Sequence, residues 1–168
     1  MKVVLACEGN CEVELLSILL EKGQMVFDKQ EILDHRPIRL RQPKKIAPLI
    51  NTLPIDEDIV FYRIGDTQRD DFDTSYFGLT RANHMQIKKI CTMPEIEILI
   101  IINERKYDDY LKNKSDISPK EYVKTHLKYT GSFSDYLINH DMVWAIKEYK
   151  RIKNHKQKDE YYLADLLK

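Results

Sequence analysis

The feature that most constrains this chain is its start, where a short apolar run ends at a glycine turn flanked by two glutamates. Residues 2–7 are short and rich in valine, which predicts a buried β-strand. Residues 11–22 carry leucines and isoleucines at helical spacing, which predicts a helix with Asn10 as its N-cap. A strand, a sharp turn and a helix in this order indicate an α/β fold with a mostly parallel sheet flanked by helices.

The turn places two carboxylates next to the end of the predicted strand. Glu8 follows the strand, and Glu12 lies in the first turn of the predicted helix. Open α/β sheets bind their ligands at the carboxyl ends of the strands, so both glutamates are candidates for one functional pocket. The alternative is that Glu12 only complements the helix dipole and that Glu8 is a solvated strand end.

A second apolar run, residues 58–64, also predicts a strand, and it leads into a turn rich in aspartate. Four aspartates occur within eight residues there: Asp66, Asp70, Asp71 and Asp73. Clustered carboxylates suit Mg²⁺, which takes oxygen ligands from protein and from substrate phosphates. The alternative is a solvated acidic loop. If the two strand ends are neighbours, the converging negative charges require a cation.

A further acidic residue, Glu97, lies inside the apolar run 96–102. A carboxylate is costly to bury there unless it is paired or binds a metal, which makes Glu97 a third candidate ligand. Alternatively it lies on the polar face of a helix, near Arg105 or Lys106. The tetrad 92–95 (TMPE) has the form of a capping box with threonine as the cap, which favours a helix over a strand for the run that follows.

The rest of the chain predicts further helices around one core. Residues 80–89, 134–154 and 159–167 have helical patterns, and a short strand is predicted at 38–41. Neither a linker nor a repeat divides the sequence. We therefore expect a single domain over residues 1–168, with a helical C-terminal part from about residue 115.

The charge of the chain is balanced in total but segregated along its length. Lys plus Arg number 27 and Asp plus Glu number 27, which by itself argues against a generic nucleic-acid binder. Residues 29–45 hold six basic and two acidic side chains, however, and residues 143–158 hold six and one. Residues 56–73 hold seven acidic and two basic side chains. The pattern predicts an acidic metal pocket with basic flanks that can follow a phosphate backbone.

The cysteines and the N-terminus indicate the compartment. Three cysteines are an odd number, and the first apolar run is too short for the core of a signal peptide. No stretch is long enough to cross a membrane. We expect free thiols and a cytoplasmic protein. A zinc site at Cys7 and Cys11 is disfavoured because their spacing has no second pair.

These segments together resemble the TOPRIM-like proteins of the RloB-like kind, which are related to the nuclease domain of the OLD family. The resemblance rests on C-E-G-x-x-E at residues 7–12, the Asp-rich turn at 66–71, the M-P-E-I-E segment from residue 93 and the helical C-terminal part. It spans nearly the whole chain at low identity. It implies a TOPRIM fold, with a compact sheet of about four strands, and metal-dependent cleavage of nucleic acid.

The resemblance also implies roles for individual residues. Glu8 matches the signature glutamate, a metal ligand or general acid/base, and Glu12 matches the second glutamate of the nuclease branch. Asp66 and Asp70 stand where the family has its D-x-D metal ligands. Glu97 matches the glutamate after the proline in the RloB-like group. The implied catalytic residues are Glu8, Glu12 and Asp66, and all five are implied metal ligands.

Two hypotheses about function follow. The first is a nuclease dependent on Mg²⁺ or Mn²⁺ that acts on DNA or RNA, in a setting such as phage defence, with Arg63 or Arg69 neutralising phosphate charge. The second is a binding or scaffold protein with a decayed metal site, favoured by Gln68 where D-x-D requires aspartate. The expected partner is nucleic acid and not a membrane. A homo-oligomer and a separate ATPase chain stay open, since no P-loop motif is present.

Overall fold

The computed structural model describes residues 1–66, 72–153 and 161–168. These residues form an α/β fold in which a four-stranded sheet is flanked by helices, which confirms the predicted fold class. The strands are β1 (Lys2–Cys7), β2 (Ile38–Arg39), β3 (Ile59–Gly65) and β4 (Met85–Cys91). Their order in the sheet is β2-β1-β3-β4, and each neighbouring pair is parallel. All four carboxyl ends therefore lie at one edge of the sheet.

Helices connect the strands and make up the C-terminal part. Within the described residues they are α1 (Asn10–Glu21), α2 (Ala47–Ile50), α3 (Leu79–Asn83), α4 (Ile98–Asn103), α5 (Tyr107–Asn113), α6 (Pro119–Thr125), α7 (Phe133–Asn139) and α8 (Val143–Lys153).

Strand β1 has a hydrophobic core on each of its faces. Val3 and Leu5 belong to the larger core with helices α1, α4 and α8, whereas Val4 and Ala6 belong to a smaller core with α2. A strand buried on both faces requires a continuous apolar run instead of an alternating one, which is why residues 2–7 predict a strand so clearly. Each buried aliphatic side chain of this kind contributes about 1.5–3 kcal/mol to the stability of the fold.

The helical C-terminal part packs on the same larger core. Leu137 of α7, Ile146 of α8 and Leu166 are all fully buried together with residues of β1 and α1. Helix α4 contacts α8, and α1 contacts α7. The C-terminal helices therefore complete the layer that covers one face of the sheet.

The predicted helix over residues 80–89 is wrong in its second half. Helix α3 ends at Asn83, and β4 begins at Met85 and pairs with β3 from Ile59–Met85 to Gly65–Cys91. Strand β4 is the last strand of the sheet and is mostly half-buried, so its sequence carries polar residues that also suit a helix. Pairing with β3 decides its structure, and local preference does not.

The apolar run after residue 95 is a helix, as predicted, but its predicted cap is wrong. Helix α4 begins at Ile98, and Glu97 occupies its N-cap position without a capping side-chain hydrogen bond. Thr92 instead extends the sheet, because its backbone N–H donates to the carbonyl of Gly65 at 3.0 Å. Thr92 continues the hydrogen bonding between β4 and β3, so it is not in a position to cap a helix.

The long helix predicted over residues 134–154 is also wrong, because two shorter helices occupy this segment. Helix α7 ends at Asn139, and His140 is extended. The side chain of Asp141 then accepts a hydrogen bond from the backbone N–H of Val143 at 3.0 Å, at the start of α8. Of the short helix predicted over 159–167, the structure describes a 3₁₀ turn at Leu163–Leu166, and residues 159 and 160 lie outside the described residues.

Two further observations concern the cysteines and the length of the helices. The three cysteines are free thiols, as predicted. No helix in the described part of the chain is long and apolar enough to cross a bilayer.

Candidate metal centre at the carboxyl edge of the sheet

The register of the sheet brings the ends of β1 and β3 together. Cys7 pairs with Ile64, and the backbone N–H of Glu8 donates to the carbonyl of Ile64 at 2.9 Å. Asp66 follows two residues after Ile64. Glu8 and Asp66 therefore follow the ends of two adjacent parallel strands, at the edge of the sheet where such folds bind their ligands.

A cavity of about 460 Å³ opens at this edge. It lies between the ends of β1 and β3, the start of α1 and the segment that leads into α4. Its lining residues are Glu8, Gly9, Asn10, Cys11, Glu12, Arg41, Arg63, Asp66, Glu95, Ile96 and Glu97. The structure thus collects four of the five carboxylates named from the sequence around one space. The fifth, Asp70, lies outside the described residues, as do Gln68 and Arg69.

Glu12 has two roles, because it lies in the first turn of α1 and lines the cavity. Helix α1 begins at Asn10, so Gly9 is the N-cap and the prediction of Asn10 is off by one residue. The backbone amides of Gly9 and of Glu12 itself act on the Glu12 carboxylate and lower its pKa, against the effect of burial. Glu12 is buried, with 9% of its surface exposed. Glu12 therefore lies in the first turn of α1, where a negative charge complements the helix dipole, and it also lines the cavity.

Burial and neighbouring charges raise the pKa of Glu12. Loss of hydration is the largest cause, and the negative charges of Asp66 and Glu97 add to it, while the two backbone amides oppose it. The negative charges of Asp66 and Glu97 therefore act on Glu12 in the cavity. A carboxylic acid with a raised pKa near other carboxylates suits proton transfer or cation binding.

Glu8 lies directly against Gly65. A β-carbon at position 65 would overlap Oε2, Cδ and Cγ of Glu8, with Cγ at 2.5 Å. The absence of a side chain at the end of β3 therefore makes room for the carboxylate of Glu8. No sequence pattern of β1 alone indicates this dependence.

Glu97 occupies the N-cap position of α4 and is half-buried at the cavity. Arg105 and Lys106 follow the opposite end of α4, so a pairing of Glu97 with them on one helix face is ruled out by the geometry.

Two lining residues, Arg41 and Glu95, were missed by the sequence analysis. Nε of Arg41 donates to the backbone carbonyl of Glu8 at 3.3 Å. Glu95 accepts from the backbone N–H of Lys120 at 3.1 Å. The basic segment that contains Arg41 was visible in the sequence. Only the register of β2 against β1 shows that this segment passes the cavity.

Cys11 also lines the cavity and is half-buried. Burial, with a smaller contribution from Glu97, raises the pKa of Cys11 to about 11. Burial also raises the pKa of the Cys7 thiol. Since the thiolate is the nucleophile, neither cysteine is suited to nucleophilic catalysis at neutral pH.

The donor set fits a hydrated hard cation and not a closed metal cage. Five carboxylates and two guanidinium groups line the cavity, which gives a formal excess of three negative charges when all are ionised. Among the described residues, however, no three His, Cys, Asp or Glu side chains are close enough to hold an ion together. Mg²⁺ keeps several waters and needs only one or two carboxylates, so these oxygen donors match it without such a cage.

No protein family, curated protein or solved structure that we compared with this chain matches it.

The raised pKa of Glu12 predicts how stability depends on pH without metal. In the unfolded chain the carboxyl titrates near its ordinary value of 4.5, and in the native state it titrates higher. Its protonated form is the one compatible with burial, so the native state loses stability as the pH rises from about 4.5 through the native pKa. We expect Glu12→Gln, which cannot ionise, to gain stability relative to the natural chain over this range.

Urea unfolding in EDTA at intervals from pH 4 to pH 8 measures this difference. Glu14→Gln, on the same helix but outside the cavity lining, is the control and should follow the natural chain. A difference between Glu12→Gln and the natural chain that is the same at every pH would contradict the prediction.

Proposed function

We propose that this protein is a nuclease that hydrolyses phosphodiester bonds with a divalent metal ion, Mg²⁺ or Mn²⁺. The observation that carries the proposal is the cavity at the carboxyl edge of the sheet, where Glu8, Glu12, Asp66 and Glu97 meet beside two arginines. Carboxylates for a hard cation and guanidinium groups for a phosphate are the two requirements of this chemistry. The resemblance to TOPRIM nucleases in the C-E-G-x-x-E segment supports the same proposal.

The ligands proposed for the ion are Glu8, Glu12, Asp66 and Glu97, with Asp70 as a further ligand from outside the described residues. When bound, Mg²⁺ or Mn²⁺ would supply an acidified water and a positive charge at the phosphate. In the metal-free cavity, burial and the charges of Asp66 and Glu97 raise the pKa of Glu12, and a cation bound there would relieve this repulsion and favour the ionised carboxylate. Arg63 faces the same cavity and is placed to balance the charge that develops on the phosphate oxygens.

The second candidate function is a binding or scaffold subunit with a decayed metal site. Two observations favour it: Gln68 replaces the aspartate of the D-x-D pair, and the described acidic residues do not form a compact set of three ligands. In this case the cavity would still attract cations weakly, but nothing would be cleaved. Both candidate functions are compatible with a phage-defence setting, with a separate ATPase partner and with a homo-oligomer.

One experiment distinguishes the two proposals. Protein stripped with EDTA is titrated calorimetrically with Mn²⁺ and with Mg²⁺, and is then incubated with labelled single-stranded and double-stranded DNA and RNA. Saturable binding of the ion together with cleavage in Mn²⁺, and none in EDTA, is the expected result. Binding without cleavage would favour the scaffold. If no ion binds and nothing is cleaved, the nuclease proposal is wrong.

A further inference from the structure

The position of Arg41 is set by the register of β2. This strand is the edge strand of the sheet and has only two residues, which pair Ala6 with Ile38 and Cys7 with Arg39. Leu40 continues the pairing, since its N–H donates to the carbonyl of Cys7 at 2.9 Å. The chain then carries Arg41 past the end of β1, where Nε donates to the carbonyl of Glu8.

Arg41 holds its guanidinium at the cavity without using it in an ion pair. Its one described side-chain hydrogen bond uses Nε and a neutral carbonyl. Within the described part of the chain, no carboxylate lies within salt-bridge distance of it. Arg36, five residues earlier, is different, because it pairs with Asp34 at 2.8 Å. A guanidinium that is held at the cavity and forms no salt bridge with the described residues is well suited to bind a phosphate through two parallel hydrogen bonds.

Further cations lie close to Arg41 in the chain, outside the lining of the cavity. Arg39, Lys44 and Lys45 are exposed, and none of them forms a salt bridge with the described residues. We call Arg39, Arg41, Lys44 and Lys45 the β2 strip. The β2 strip runs from the end of β2 into a 3₁₀ turn at Pro43–Lys45. A nucleic-acid strand carries a phosphate about every 3.4 Å, so four cations spread over this segment can face more than one phosphate.

The charge of the cavity decides from which side a polyanion can approach. The carboxylates outnumber the arginines by three, so a phosphate meets repulsion over most of the rim. On the side of the β2 strip, an approaching phosphate meets positive charge that forms no salt bridge with the described residues. A small phosphate ester has one phosphate and would use Arg41 alone. Four exposed cations within seven residues of sequence suit a polynucleotide, which carries many phosphates.

We infer that a polynucleotide reaches the cavity over the β2 edge, with Arg41 binding the backbone phosphate next to the metal ligands and the rest of the β2 strip binding the phosphates that follow. This inference rests on the proposed nuclease function and assigns the substrate's path and its anchoring residue. Arg41 is a binding residue here and does not take part in proton transfer.

The test measures binding of a fluorescent single-stranded 20-mer DNA, and of its duplex, by anisotropy in EDTA, where no cleavage is expected, over a range of salt concentrations. We expect Arg41→Ala to weaken binding about five- to ten-fold and to reduce the slope of log K against log salt by about one, because one phosphate contact is lost. Lys44→Ala together with Lys45→Ala should reduce the slope by up to about two. Compared with Arg41→Ala, Arg41→Lys should recover more of the salt slope than of the affinity. Lysine keeps the positive charge but lacks the paired N–H donors with which a guanidinium binds a phosphate.

Matched controls are Lys22→Ala, an exposed cation beyond the other end of α1, and Arg36→Ala, which is already paired. Both should leave the slope unchanged. Mn²⁺ titration of Arg41→Ala should match the natural chain, because Arg41 is not a ligand. If the natural chain binds DNA and Mn²⁺ but Arg41→Ala has the slope of Lys22→Ala, the inference is wrong and the proposed function stands. If no Mn²⁺ binds but the slopes change as expected, the nuclease proposal is wrong and the β2 path stands.

Discussion

Replacing Glu8 by glutamine is expected to lower metal-dependent cleavage of nucleic acid by about 10²–10³-fold. Glutamine keeps the shape of the side chain but removes the negative charge that the metal ion requires. Metal ions supply several kcal/mol of transition-state stabilisation, and each ~1.4 kcal/mol corresponds to a factor of ten in rate. The initial rate of cleavage in Mn²⁺ and the affinity for Mn²⁺ measured by calorimetry should fall together.

The control for this substitution is Glu21→Gln, which removes the same charge from the exposed last residue of α1. That end of the helix is about 17 Å from its start at a rise of 1.5 Å per residue, so the charge lies well away from the cavity. Glu21→Gln should cleave at the rate of the natural chain. Undiminished cleavage by Glu8→Gln would remove Glu8 from the proposed ligands.

The second large effect is expected from adding a single methyl group, with Gly65→Ala. The new β-carbon would overlap Glu8 from its carboxylate back to Cγ, so the whole side chain must rotate away. The backbone of Gly65 does not have a positive φ, so alanine itself fits the strand. We therefore expect Gly65→Ala to fold with reduced stability while Glu8 is present, and to lose Mn²⁺ affinity and cleavage to about the same extent as Glu8→Ala.

A double-mutant cycle identifies the cause of this loss. If alanine at position 65 acts only by displacing Glu8, then adding Gly65→Ala to Glu8→Ala should lower Mn²⁺ affinity no further. Gly9→Ala offers a graded comparison, because its β-carbon would meet only the far end of Glu12, at 2.6 Å from Oε2. A small movement of that carboxylate relieves the contact, so the loss should be smaller. Additive effects of Gly65→Ala and Glu8→Ala would show that position 65 acts by another route.

The elements with strong and unambiguous patterns were predicted from the sequence. Strand β1 and helix α1 were predicted within a residue because one is apolar throughout and the other has a clear apolar face. The strand predicted over 58–64 is β3, displaced by one residue. Helix α4 was predicted against the preference of its isoleucines, and its burial on the larger core explains that outcome. Strand β4 was missed because an edge strand with polar residues resembles an exposed helix in its pattern.

The same contrast holds for the site. Glu8 and Asp66 could be placed together from the sequence, because strands that run parallel end at the same edge. The position of Arg41 at the cavity could not be predicted in this way, because it depends on the register of the two-residue strand β2 against β1. Glu95 was interpreted as part of a helix cap, and its place at the cavity follows from where α4 begins.

What the sequence by itself determined is therefore the class of fold, the two central strands and the acidic residues that follow them. These are local properties, since the order of apolar residues along a few turns or strands decides which surfaces can be buried. The tertiary structure decided which side chains share the cavity: the room for Glu8 over Gly65, the mutual charge effects at Glu12, and the position of Arg41. Each of these depends on distances between segments that are far apart in the chain, and such distances are set only when register and packing bring the segments together.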